Sequence, residues 1–130
     1  MRRWYGPGAR TPPDRLTNAD CIFCKVSRGE IPSQRVLEDD LTIAFRDIRP
    51  QAPTHVLVIP RAHHDSLWEE IDERLAGRLL RVAAEVARRE GLEQGWRLIA
   101  NTRAHGGQEV GHLHLHVLGG RPLGRMLSRE

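Results

Sequence analysis

"GHLHLHVLGG", residues 111–120, sets His112, His114 and His116 at alternate positions among Leu113, Leu115 and Val117 and closes on a glycine pair. Alternation with a period of two sends successive side chains to opposite faces of an extended strand. The stretch is therefore predicted to be a β-strand. One face carries a row of imidazoles, next neighbours roughly 6.6 Å apart along the backbone, and the other face an apolar row. A tag-like chelating tract would be contiguous and terminal, and this run is neither. With an unperturbed pKa of about 6.5, an imidazole can serve near neutrality as nucleophile, base or acid. A row of them points to transfer of a negatively charged group. The middle ring attacks, and its neighbours orient it, hold charged oxygens or pass a proton.

The loop ahead of the strand, "TRAHGGQEVG" (102–111), supplies what such a reaction lacks. Glycines, Gly107 among them, leave backbone N–H groups uncovered, and the Gln108 amide and Glu109 carboxylate stand beside them. Phosphate oxygens are natural guests for N–H groups arranged in this way.

Further out, the chain divides into short strands around one helix. "THVLVIP" (54–60) is a strongly β-branched strand. "RVLEDD" (35–40) and "LTIAFRD" (41–47) are two more, and "IRPQAP" (48–53) turns the chain, because neither Pro50 nor Pro53 can donate to a ladder. In "DERLAGRLLRVAAEVARREG" (72–91), Leu75, Leu79, Val82, Ala83 and Val86 form an apolar stripe at helical spacing, and Gly91 stands where a C-terminal cap belongs. Trp68 falls in a short helical turn upstream, and "GWRLIAN" (95–101) is the strand before the glycine loop. This order predicts an α+β domain, an antiparallel sheet covered on one side. Neither "GPGAR" nor "GGQEVG" has the spacing of a dinucleotide or Walker loop. Residues 1–19, rich in proline, glycine and arginine, are expected to be a flexible tail ahead of a domain spanning 20–130.

A chain of 130 residues with 39% hydrophobic content makes one small domain. No apolar run reaches the length of a membrane span, and the start lacks the apolar region of a secretory signal. The formal charge of +3 is small and dispersed, with no aromatic-interleaved basic stripe, which argues against a nucleic-acid partner. Cys21 and Cys24 are a poor disulfide framework, and their spacing suits metal or redox chemistry better. The cytoplasm is the expected compartment.

Taken together, "CIFCKVSRGEIP" (21–32), "AFRDIRPQAPTHVLVIPRAH" (44–63) and "NTRAHGGQEVGHLHLHVLGGRPLG" (101–124) resemble the histidine triad (HIT) superfamily, and within it the bacterial type of the Hint branch, the histidine triad nucleotide-binding proteins. The resemblance implies a HIT-like fold: a five-stranded antiparallel sheet with one long and one short helix, dimerising into a shared sheet. It implies hydrolysis of purine nucleoside 5′-phosphoramidates to the nucleoside monophosphate and an amine, through a nucleotidyl-histidine intermediate. His114 is then the nucleophile, His116 contacts the phosphate, His112 orients the nucleophile and His55 completes the site. Asp47 binds the ribose hydroxyls, as two carboxylate oxygens suit a vicinal diol. Asn101 and Gln108 face the phosphate, and Phe23, Val26, Phe45, Ile48 and Leu57 line an apolar slot for the purine.

Many Hint proteins carry a serine after "GGQ", where this chain has Glu109. Two readings stand: a carboxylate turned toward the leaving amine, favouring cationic amines, or one facing solvent. For the cysteines, two thiolates from one turn make half of a tetrahedral zinc site. His63 and His112 are candidates for the other half, with His64 the rival of His63. A zinc-binding subset of the family uses this Cys-Cys-His-His set, which implies a structural zinc; no organic cofactor is expected. Two competing functions remain: a dinucleoside polyphosphate hydrolase of the Fhit-like branch, and a nucleotide-binding or scaffold protein with low turnover. The ending "GGRPLGRML" favours Hint over the first, and the intact His114 argues against the second.

Overall fold

The computed structural model describes residues 19–127, so the expected tail lies, but for its last position, outside the described residues. Strands β1 (Arg35–Glu38), β2 (Thr42–Arg46), β3 (Thr54–Pro60), β4 (Trp96–Ile99) and β5 (Leu115–Gly119) form one five-stranded sheet in the order β1-β2-β3-β5-β4. Every neighbouring pair is antiparallel. Helix α1 (Ile22–Ser27) precedes the sheet, and α2 (Glu73–Arg89) links β3 to β4. Among the described residues no helix is long and apolar enough to cross a membrane.

Helix α2 buries the expected stripe, Leu75, Leu79, Val82, Ala83 and Val86, together with Ala87. It meets Ala44, Val56, Val58, Leu113, Leu115 and Val117 on one face of the sheet. The apolar half of the alternating histidine stretch therefore anchors it to the main core. The helix ends at Gly91, whose φ of +72° is a left-handed conformation that a side chain would strain. From there the Gly91 N–H bonds the Arg88 carbonyl and the Leu92 N–H the Ala87 carbonyl, a closure that folds Leu92 back into the core. The glycine pair ending the triad stretch has matching reasons. A Cβ on Gly119 would lie 2.8 Å from Leu92 Cδ1, and Gly120, at φ +99°, lies against Pro53.

Two expectations are corrected. The sheet is covered on both faces, because α1 packs Phe23 and Val26 against Ile43, Phe45, Leu57 and Ile59 on the side away from α2. "CIFC" is accordingly the start of a helix: Cys21 is its N-cap, and its Sγ accepts the Cys24 N–H at 3.3 Å. The ladder of β5 also begins only at Leu115. Leu113 gives its N–H to the His64 carbonyl (2.6 Å), so His112 and His114 lie in chain ahead of the ladder. The two-residue alternation survives this: Leu113 joins the α2 core, while His112 and His114 meet the Phe23 ring on the other side.

Candidate active site and metal centre

The phosphate-side histidines can be read from one backbone group. Gln51, in the turn between β2 and β3, donates its N–H to His55 Nδ1 at 3.0 Å. Burial lowers the His55 pKa, against an opposing pull from Asp47, so the ring is neutral with its proton on Nε2. That Nε2 lies 2.9 Å from His116 Nδ1 and 3.4 Å from Asp47 Oδ2. His116 Nδ1 must therefore accept. Burial, with His114 and His55 nearby, pushes the His116 pKa down to about 4, so this ring too is neutral and carries its proton on Nε2. That atom is buried and has no hydrogen-bond partner among the described residues. A buried donor without an acceptor is costly, and the ring that carries it lies beside the His114 ring, the two centroids 5.0 Å apart.

His114 is fixed by its own chain. Its Nδ1 is 2.7 Å from the His112 carbonyl oxygen, which can only accept. In the neutral ring the lone pair is then on Nε2, the form a nucleophile needs. Phe23 packs edge-on against the same ring at 5.2 Å.

On the other flank of residue 112 the pattern reverses. His112 Nε2 donates to the Pro60 carbonyl at 3.0 Å, which turns the Nδ1 lone pair to Cys21 Sγ (3.2 Å) and Cys24 Sγ (3.5 Å). His63 Nε2 meets Asp65 Oδ1 at 2.8 Å, and its Nδ1 lies 3.4 Å from Cys24 Sγ. Burial pushes the His112 pKa down to about 4, so the ring stays a neutral ligand. The four ligand atoms lie within 4.8 Å of one another. Two thiols and two inward lone pairs, each ring held from behind by an acceptor, are a donor set that fits a soft or borderline cation. Of the two neighbours, His63 turns toward Cys24, while His64 Nδ1 meets Glu69 Oε1 at 3.1 Å.

Among the remaining residues, Asp47 directly follows β2, its Oδ1 accepting the Arg49 N–H (2.8 Å). Phe23, Val26, Phe45 and Leu57 are buried together, whereas Ile48 stands apart, 90% exposed. Asn101 is half-buried at the foot of the glycine loop. The loop is less open than its glycines implied. The N–H groups of Gly106 and Gln108 bond the Arg103 carbonyl, and that of Gly107 bonds Ala104. The Gln108 side chain staples the loop: Oε1 accepts the Arg103 N–H (2.7 Å), and Nε2 reaches the Asp65 (2.6 Å) and Val110 (2.9 Å) carbonyls. Glu109 is exposed. Sequence reading missed Gln51, Pro60 and Asp65. The first two act through backbone atoms and leave no side-chain signal; Asp65, two residues past a ligand histidine, was the findable one.

Residues 28–123 match the HIT domain family. The chain belongs to that family. It is 53% identical over 116 residues to the purine nucleoside phosphoramidase of Escherichia coli K12, covering 85% of this chain and 96% of that protein. A 14 kDa zinc-binding protein of Zea mays is 47% identical over 114 residues, covering 84% and 88%. Among solved structures, a HIT family hydrolase from Legionella pneumophila Philadelphia 1 superposes with a TM-score of 0.78 at 49% identity, covering 81% of this chain and 96% of that one.

Proposed function

We propose that this HIT protein hydrolyses purine nucleoside 5′-phosphoramidates to the nucleoside monophosphate and an amine. The observation that carries the reading is a fixed lone pair on one ring and an unsatisfied donor on its neighbour: His114 Nε2, and the orphaned His116 Nε2–H of the adjacent imidazole. High identity over nearly the whole length of the Escherichia coli phosphoramidase supports it. His114 Nε2 attacks the α-phosphorus, the P–N bond breaks, and the nitrogen takes a proton from solvent as it leaves as the amine. Water then attacks the same phosphorus, gives a proton back to solvent, and restores the free imidazole. His116 Nε2–H donates to a non-bridging oxygen as charge gathers there, and His55, fixed by Gln51, keeps that proton in place. Asp47 takes the ribose diol, the cluster around Phe23 and Phe45 forms a wall for the base, and Glu109 borders the leaving amine. Asn101 and the loop stapled by Gln108 shape the phosphate end. The test is turnover of adenosine 5′-phosphoramidate against diadenosine tetraphosphate. Equal or faster cleavage of the dinucleotide would place the enzyme in the Fhit-like class instead.

The metal at Cys21, Cys24, His63 and His112 is read as zinc, an assignment supported by the donor set and by the maize relative. Held by four protein ligands, it would keep no open position and would supply folding energy rather than chemistry. Cys21 and Cys24, whose sulfurs face imidazole nitrogens, fit a reducing cytoplasm. We also read the chain as a homodimer. The edge strand β4 leaves Trp96 and Leu98 38% and 37% exposed, beside an open cleft of about 710 Å³ between residues 91–97 and 120–123 that holds none of the expected site residues. Pairing with a second copy would cover that edge. Light scattering at micromolar concentration should give twice the monomer mass; a monomer would refute this part.

A further inference from the structure

Asp65 ties the metal cluster to the glycine loop. Its carboxylate accepts from His63 Nε2 (2.8 Å), behind the nitrogen that faces Cys24. Its backbone carbonyl accepts from Gln108 Nε2 (2.6 Å), the side chain that also captures the Arg103 N–H. Its own N–H is held by Glu69 Oε2 (2.8 Å), which fixes the peptide unit between these two duties.

The far end of the link bears a mark of constraint. Arg103 has φ +60°, the sole positive φ outside glycine among the described residues. Such a backbone persists only where its surroundings over-determine it. Here the Gln108 amide holds the Arg103 N–H, and the Arg103 guanidinium lies over the Trp68 ring at 5.6 Å, three residues beyond Asp65. Segments 63–68 and 103–108 are thus clasped at two points, both on the Asp65 side of the metal ligands.

We propose that Asp65 is a positioning residue that orients His63 for the metal and registers the phosphate loop, residues 103–108, to the metal centre. Occupancy of the Cys-Cys-His-His set then tightens the loop. Without metal, His63 and Asp65 can shift together and the Gln108 staple loosens. The Asp65 side chain is 72% exposed, so its grip on His63 is at the weaker end for such partners, about tenfold in metal affinity.

This rests on the metal reading and not on the hydrolase reading, so the experiment uses only protein and Zn²⁺. Zinc affinity is measured by competition with a chromophoric chelator, and amide exchange over 103–108 by mass spectrometry with and without zinc. In the wild type, zinc should slow exchange in this segment by about threefold or more. Asp65→Ala should bind zinc about tenfold more weakly and lose that protection at saturating zinc. Asp65→Asn, which keeps an acceptor for His63 Nε2–H, should stay within about threefold of wild type in affinity and retain the protection. Gln108→Leu should keep wild-type affinity and lose the protection, which a merely structural role for Asp65 does not predict. A wild type that takes up no zinc overturns the metal reading and this inference together. Zinc-binding protein in which Asp65→Ala retains affinity or loop protection overturns this inference alone, as does Gln108→Leu with protection intact.

Discussion

Residues 112–116 carry histidines into two neighbouring clusters that use the same side chain for opposite charges. On the metal side the outer partners are acceptors, the Pro60 carbonyl and the Asp65 carboxylate, so ring protons point outward and lone pairs converge. On the phosphate side the outer partner is a donor, the Gln51 N–H, so lone pairs point outward and the last proton points in. One arrangement suits a cation and the other an anion. The difference explains why Asp47, His55 and His116, whose ligand atoms also lie within 4.8 Å, make a poor metal site. To ligate through Nε2, a neutral His55 would need its proton on Nδ1, where the Gln51 N–H already points. What a histidine suits here is set one bond further out, by the donor or acceptor behind its ring.

The sharpest way to break the comparison is to delete the nucleophile on the anion side. His114→Ala should lower phosphoramidate turnover by about 10³-fold or more, while AMP still binds, since Asp47 and the His55–His116 pair remain. Mass spectrometry of quenched wild-type enzyme should find the nucleotidyl adduct on His114. An adduct at another residue, or turnover near normal in the variant, would overturn the assignment.

Next in size is the cation side. Protein purified without chelator should hold one zinc per chain, and Cys24→Ser should hold almost none, with a loss of several kcal/mol and a melting temperature about 10 °C lower. His55→Ala, on the phosphate side, should leave the zinc content at one. Two zinc ions per chain, one of them lost with His55, would erase the distinction between the clusters.

The limits of sequence reading follow the same line. The α2 stripe and the two-residue alternation were legible because they are periodic, and periodicity is a local property of the chain. Helix α1, six residues long, is too short to show a period, so the second covered face was not seen. The side chains that meet were named in advance: Cys21, Cys24, His63 and His112 at one centre, and Asp47, His55 and His116 at the other. Their polarity was not, because for His55 and His112 it depends on whether a distant peptide offers N–H or C=O. The glycine loop misled for a related reason. Its glycines are real, but Arg103 and Ala104 turn their carbonyls onto the very N–H groups that looked available.

A smaller effect follows from keeping His116 neutral. Burial holds its pKa near 4, and the His55 pKa is also lowered, against about 6.5 in the unfolded chain. Between those values the unfolded chain binds protons that the folded one refuses. Stability is therefore complete above about pH 6.5, falls as pH drops through the window, and stops falling from this cause below about 4. Each such ring contributes a slope of up to about 1.4 kcal/mol per pH unit. Chemical denaturation between pH 7 and 4.5 should show a steeper decline for wild type than for His116→Asn, which cannot titrate there. Parallel curves would mean that the ring is not held neutral by the fold.

The smallest expected effect is at Glu109, and it asks whether the anion side is as indifferent to its rim as its geometry implies. The carboxylate is exposed, and charges exposed to water at physiological salt act weakly beyond about 8 Å. Repulsion of the substrate phosphate is therefore slight, and Glu109→Gln should change kcat/KM for adenosine 5′-phosphoramidate by less than about threefold, close to the 1 kcal/mol ceiling of an exposed ion pair. Substrates whose leaving amine carries a further cationic group approach the carboxylate more closely. For these the same variant should lose about three- to fivefold, mostly in KM, with the loss shrinking as salt is raised. An equal change for neutral and cationic amines would assign Glu109 to solvent and leave leaving-group choice to other residues.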